Sequence, residues 1–232
     1  MTEAEWLACA YPTPMLEFLR GKASERKLRL FACACCRRIW HLLIEERSLR
    51  AVEVAERFAE GTAPVPELNK AEDYANDVWN ELAYADGGVT DAQTDASEAA
   101  CSAACYSKAA IASATSTSRS TAYALSYDGR EAVEHAEQCH LLRDIFANPF
   151  RPQPSLPPAV LAWNDGTVRR IAERVYEDRR LPEGTLDTAR LAILADALLD
   201  AGCDDEELLA HCRSAGPHVR GCWGVDLILG KV

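Results

Sequence analysis

Apolar positions along this chain recur at intervals of three and four, the spacing of a buried stripe on one helix face, and no stretch sustains the alternation of a strand. Thr2 and Glu5 have capping-box spacing, so a short helix is predicted ahead of Pro12 and Pro14, which should break it. A second short helix is expected over Met15 to Arg20, ending at Gly21. Ser24 should open the most hydrophobic long helix, over 24–44, with Leu28, Phe31, Cys35, Ile39, Leu42 and Leu43 facing inward. Arg29, Arg37 and Arg38 would lie on its opposite face. Ser48 reads as the cap of a further helix that carries Val52, Ala55 and Phe58 and closes at Gly61.

Another helix is predicted from about Pro66 to Ala85. Residues 92–125 are dominated by Ala, Ser and Thr, a composition that lets helices approach closely, and Thr115-Ser116-Thr117-Ser118 should fray or bend. A helix beginning near Asp128 runs through Ala132, Cys139 and Leu142 to Phe146. The stretch 148–158 then holds five prolines in eleven residues, which excludes helix interior and marks a linker. Beyond it, a helix over Thr167 to Arg179 and a loop over Leu181 to Thr185 precede three short closing helices.

In the first of these, Leu191, Leu194, Ala195, Leu198 and Leu199 form the stripe and Gly202 stops the helix. Asp204 or Asp205 should cap the second, which reaches about Arg213. Gly216 breaks the chain again, Pro217 suits the first position of the third helix, and Val219, Cys222, Trp223 and Leu227 turn inward from it. The expected fold is all-α: a multi-helix bundle over 1–147, a Pro-rich linker over 148–158, and a smaller C-terminal helical unit over 159–232 with Trp223 as an anchor.

The strings MLEFLRGKASERKLRLFACACCRRIWHLL, LADALLDAGCDDEELLAHCR and HVRGCWGVDLILGK resemble a family of paralogous helical proteins abundant in planctomycete bacteria. The piece LADALLDAG is also similar to the ADWLEEHGD phrase of short repeat-companion domains from the same bacteria. The resemblance implies an all-helical protein with a lineage-specific, interaction-based role. It brings no catalytic residues.

Charge and cysteine content refine this picture. The net charge is −11, yet Arg20 to Arg50 contains nine basic residues against three glutamates, so an acidic body carries one basic stripe. The acidic start Met-Thr-Glu-Ala-Glu lacks the basic and apolar regions of a secretory signal, and no apolar run is long enough to span a bilayer. A cytoplasmic protein with no membrane partner is expected. In a reducing compartment the ten cysteines should act mainly as small buried hydrophobes.

Three constellations carry candidate chemistry. Cys203, Cys212, His218 and Cys222, with His211 beside them, offer the soft and imidazole ligands that zinc prefers, and His218 and Cys222 would share a helix face at i,i+4. Their gaps fit no common structural zinc pattern, so the leading expectation is a protein without a cofactor, zinc being the alternative. Cys33, Cys35, Cys36 and His41 form a second thiol-rich group, but on a helix they point in different directions. Cys222, His218 and Asp226 could form a nucleophilic triad, although the apolar setting of Cys222 and the lack of any catalytic motif predict no enzyme.

Arg26, Lys27, Arg29, Arg37 and Arg38 could meet nucleic-acid phosphates, but at this overall charge internal pairing is the favoured reading. The leading function is a cytoplasmic helical interaction or adaptor module whose partner is another protein. A zinc-binding regulator and a nucleic-acid binder using the basic helix stand as alternatives.

Overall fold

The computed structural model describes residues 1–85, 87–106 and 109–231. Among these, twelve helices form and no strand; none of the helices is long and apolar enough to cross a membrane. The chain divides into two compact units, Met1–Leu142 and Arg143–Val232.

The first unit contains α1 (Glu3–Ala8), α2 (Pro12–Leu19), α3 (Glu25–Arg38), a 3₁₀ turn over Trp40–Leu42, α4 (Glu46–Ala59), α5 (Val65–Ala83), α6 (Asp91–Ala104), α7 (Ala110–Ser126) and the body of α8 (Glu131–Phe146). Thr2 and Glu5 form the expected capping box, and Ser24 caps α3 by accepting from the Lys27 N–H. Pro12 and Pro14 do not interrupt the chain between helices. Both lie in the first turn of α2, where a missing N–H costs no intrahelical bond. The basic helix is shorter than the predicted 24–44: the Ile39 N–H turns back to Cys36 O at 3.1 Å, and the chain tightens into the 3₁₀ turn. Ser48 is not a cap either; Glu45 holds that position and Ser48 is buried within the first turn of α4.

Ala96, Ala99, Ala100, Ala103 and Ala104 of α6 are all buried, and small side chains there let α6 pack against α4, α5 and α7 at once. The Thr115–Ser118 run neither frays nor bends: it lies inside α7 without a break. Thr115 Oγ1 donates to Ile111 O at 2.8 Å, and Ser118 Oγ donates to Gln138 Oε1 at 2.5 Å.

The second unit comprises the last turn of α8, the irregular segment 147–157, α9 (Pro158–Glu177), α10 (Thr188–Asp200), α11 (Glu206–Cys212) and α12 (Trp223–Leu229). The boundary therefore falls inside α8 rather than at the Pro-rich stretch, because the final turn of α8 bonds to later residues of this unit. α9 is interrupted at Trp163–Gly166, where Asn164, Asp165 and Gly166 have positive φ, so its regular part starts at Thr167 as expected. Val168, Ala172, Val175, Leu191, Leu194, Leu198, Leu208, Trp223, Val225 and Ile228 form the core.

Gly202, at φ +86°, ends α10 with two bonds, Cys203 N–H to Leu198 O and Gly202 N–H to Leu199 O, a Schellman closure. Leu199 departs from the predicted stripe: it is 52% exposed. Pro217 does not start a helix. Leu186 N–H donates to His218 O at 2.8 Å and Thr185 bridges to Val219, which holds 217–219 extended and delays α12 until Trp223.

Candidate metal centre

Four side chains from separate pieces of the second unit converge in its interior. α8 delivers Asp144 from its last turn, a poor place for a carboxylate on dipole grounds and a sign that something else holds it there. Asp205 caps α11 by accepting from Leu208 N–H, and this seven-residue helix presents His211 in its final turn. Gly216, at φ +91°, then reverses the chain. The Val219 N–H donates to Asp144 Oδ2 at 2.9 Å, fixing His218 beside the carboxylate. A turn closed by Cys222 N–H to Val219 O brings Cys222 round as the residue preceding α12.

Asp144, His211, His218 and Cys222 thus place one ligand atom each within 4.8 Å of all the others. His218 Nδ1 donates to Asp144 Oδ1 at 2.8 Å, and His211 Nε2 lies 3.4 Å from the same oxygen. Cys222 Sγ lies 3.0 Å from His211 Nε2 and 3.9 Å from His218 Nδ1. Zinc bonds to nitrogen or oxygen of about 2.0 Å and to sulfur of about 2.3 Å imply donor separations of roughly 3.3–3.8 Å in a tetrahedron. These four contacts lie within about half an ångström of that range, and the widest pair of the set, up to 4.8 Å apart, would close by about 1 Å around an ion. His218 meets the site through Nδ1 while its Nε2 sits 3.1 Å from Ser214 Oγ and 3.3 Å from Ser214 O, the kind of outer contact that orients a ligating imidazole.

The walls are close. Trp223 stacks against His211 at 4.7 Å between ring centroids, and a Cβ at Gly224 would come within 3.0 Å of both His211 Cδ2 and Leu208 Cδ1. A larger residue at 224 would therefore press on His211 and Leu208 where α12 approaches α11.

Burial opposes ionisation of Asp144, but hydrogen bonds from His211 and His218 and their charges outweigh it and leave the carboxyl below its usual range. His218 shows the complement: burial favours its neutral form, while the hydrogen bond and charge of Asp144 win and raise its pKa. Burial pushes the Cys222 thiol well above its ordinary value, and the Asp144 charge adds to this. Without a cation the thiol is inert; a bound divalent ion would reverse that balance and take the thiolate directly.

Of the residues predicted from the sequence, His218 and Cys222 are in the group, though not by sharing a helix face, since residues 214–222 are non-helical. Cys203 and Cys212 are not in it. Cys203 lies in the α10–α11 turn and Cys212 packs in the core, where burial pushes its thiol up to about 12. His211, expected only as a neighbour, is a member.

Asp144 was not predicted; its one local signal is an acidic residue set among Leu141, Leu142, Ile145 and Phe146 at a helix C-terminus. His218 pairs with Asp144 rather than forming the Cys222–His218–Asp226 triad. Cys33, Cys35, Cys36 and His41 do not form a second group: among the described residues the Asp144 set alone brings three or more such ligand atoms this close.

Of the basic residues proposed for phosphate contact, Arg29 and Arg37 are buried and Arg26 and Arg38 are engaged in ion pairs. Arg29 donates to Ala103 O and Cys105 O at 2.9 and 3.2 Å, closing the C-terminal end of α6. Buried Arg37 grips Glu56 through two bonds of 2.5 and 2.8 Å, Arg38 pairs with Glu134 and Glu137, and Arg26 with Glu60. Lys27 is half-buried. Groups so engaged are not free to release counterions from a phosphate backbone.

Comparison with family models, with curated proteins and with solved structures finds no match.

Proposed function

We propose that this chain is a zinc-binding helical protein in which the metal has a structural role and the helical surfaces serve protein interaction. The observation that carries the reading is the convergence within 4.8 Å of buried Asp144, His218 and Cys222 with partly buried His211. One thiolate and two imidazoles suit zinc among the abundant divalent ions; calcium and magnesium prefer oxygen alone. Four protein donors leave no open position for water or substrate, which favours a structural ion over a catalytic one.

The interaction part of the reading is supported by exposed apolar residues on α10, Ile193 and Leu199. Ten free cysteines fit a reducing, cytoplasmic setting.

Competitive titration of the full chain against a chromogenic zinc chelator tests the proposal. Wild type should take up one zinc per chain, and His218→Ala and Cys222→Ala should each weaken binding by at least about tenfold, the scale of losing one ligand or its support. No uptake by wild type, or uptake indifferent to both substitutions, would sink it.

A further inference from the structure

We infer that the ion acts as a clasp: zinc joins the end of α8 to α11–α12, and so holds the Pro-rich segment 147–157 onto the body of the second unit. This rests on the zinc reading above and adds a specific mechanical role to it.

The donor set is divided along the chain. His211, His218 and Cys222 lie within one stretch that belongs to α11, α12 and their connection, whereas Asp144 arrives alone from the turn that leads into the segment. Asp144 is attached to that stretch through both carboxylate oxygens, Oδ1 to His218 and Oδ2 to the Val219 N–H. An ion bound between them would replace the Asp144–His218 hydrogen bond with coordinate bonds from both residues, at the point where the segment begins.

The segment carries few backbone donors of its own. Pro149, Pro152, Pro154 and Pro157 remove four N–H donors, and the chain turns at its start through Arg151 N–H to Asn148 O and Phe150 N–H to Asn148 Oδ1, both at 3.1 Å. Its anchorage to the unit includes Leu156 and Ala147, both partly buried against the core, and an exposed Arg151–Glu207 ion pair at 3.6 Å, a kind of contact that contributes little. By contrast α9 and α10 pack on each other, with Val168, Ala172, Leu191, Leu194 and Leu198 in the apolar core, and none of the four donors lies on either helix. Removing zinc should therefore loosen the segment and the 214–222 connection first and leave the α9–α10 pair folded.

Hydrogen exchange of the full chain, read by mass spectrometry with saturating zinc and after chelation, tests the clasp. The expected result is an increase of at least about tenfold in exchange over 143–157 and 214–222 on chelation, with α10 unchanged. Asp144→Ala should show the open pattern even with zinc present, because three donors remain on the other side and the tie to the segment is gone; its unchanged α10 exchange would certify that it folds. Stoichiometric zinc uptake with identical exchange over 143–157 in both states would overturn the clasp and leave zinc binding intact. Uniform loss of protection across α9–α12 on chelation would also overturn it, making the ion a global requirement of the unit. Absence of zinc uptake would remove both proposals.

Discussion

Asp144 and His218 stand 74 positions apart in sequence and meet at 2.8 Å, oxygen to nitrogen, in the interior of the second unit. This contact ties the end of one helix to a non-helical connection near the C-terminus. The rest of the candidate metal centre is arranged around it.

Gly224→Ala should disturb the centre without removing a donor. The added Cβ would lie 3.0 Å from His211 Cδ2 and Leu208 Cδ1, so the imidazole must move. Overpacking of this kind costs about 1–3 kcal/mol, and a displaced ligand should weaken zinc binding by about tenfold or more. Chelator competition and urea unfolding of the same preparation check both effects; unchanged values in each would show that α12 has room to yield.

Trp223 is 4% exposed and stacks on His211, so Trp223→Ala should cost about 3–5 kcal/mol, a large share of the stability of a small helical unit. Chemical denaturation followed by circular dichroism measures this. A loss below about 1 kcal/mol, typical of surface substitutions, would contradict the anchoring role.

In the first unit, Arg37 and Glu56 form a buried pair with side chains 3% and 4% exposed. Removing either partner strands a charge: Arg37→Met or Glu56→Leu alone should cost about 3–5 kcal/mol, while the two together should recover most of that loss. A double variant as unstable as the sum of the singles, measured in urea, would show that the two charges do not depend on each other.

Glu134 supplies a pH prediction with a definite sign. Burial raises its pKa above the usual 4.5, and the charge and hydrogen bond of Arg38 only partly offset this. The folded state therefore holds this proton more tightly than the unfolded state. The stability it contributes is present below about pH 4.5 and is lost as pH rises through the raised value. Glu134→Gln does not titrate, so its stability relative to wild type should improve between about pH 4 and pH 7. Parallel thermal melts across that range would contradict this if the difference stayed flat or reversed.

Much of the helical layout is legible locally because caps and terminators act over a few residues. Thr2 with Glu5, Ser24, Asp205 and Gly202 each do in the structure what their side chains and backbone freedom suggest. Proline is ambiguous by the same measure. Pro12 and Pro14 open a helix, whereas Pro217 enters an extended segment because Leu186 and Thr185, distant in sequence, pair with its neighbours.

The metal centre is less legible for a similar reason. His218 and Cys222 stand out by residue type, and Cys203 and Cys212 stand out equally although they only pack in the core. Asp144 completes the set only once the end of α8 has docked, a tertiary event to which ligand spacing along the sequence is blind.

X-ray absorption at the zinc edge on the purified full-length protein tests the central claim most directly. The account predicts one sulfur at about 2.3 Å and three nitrogen or oxygen neighbours at about 2.0–2.1 Å, the signature of Cys222 with His211, His218 and Asp144. A shell with three sulfurs would point instead to Cys203, Cys212 and Cys222 with His218, and a protein that retains no zinc would contradict the account altogether.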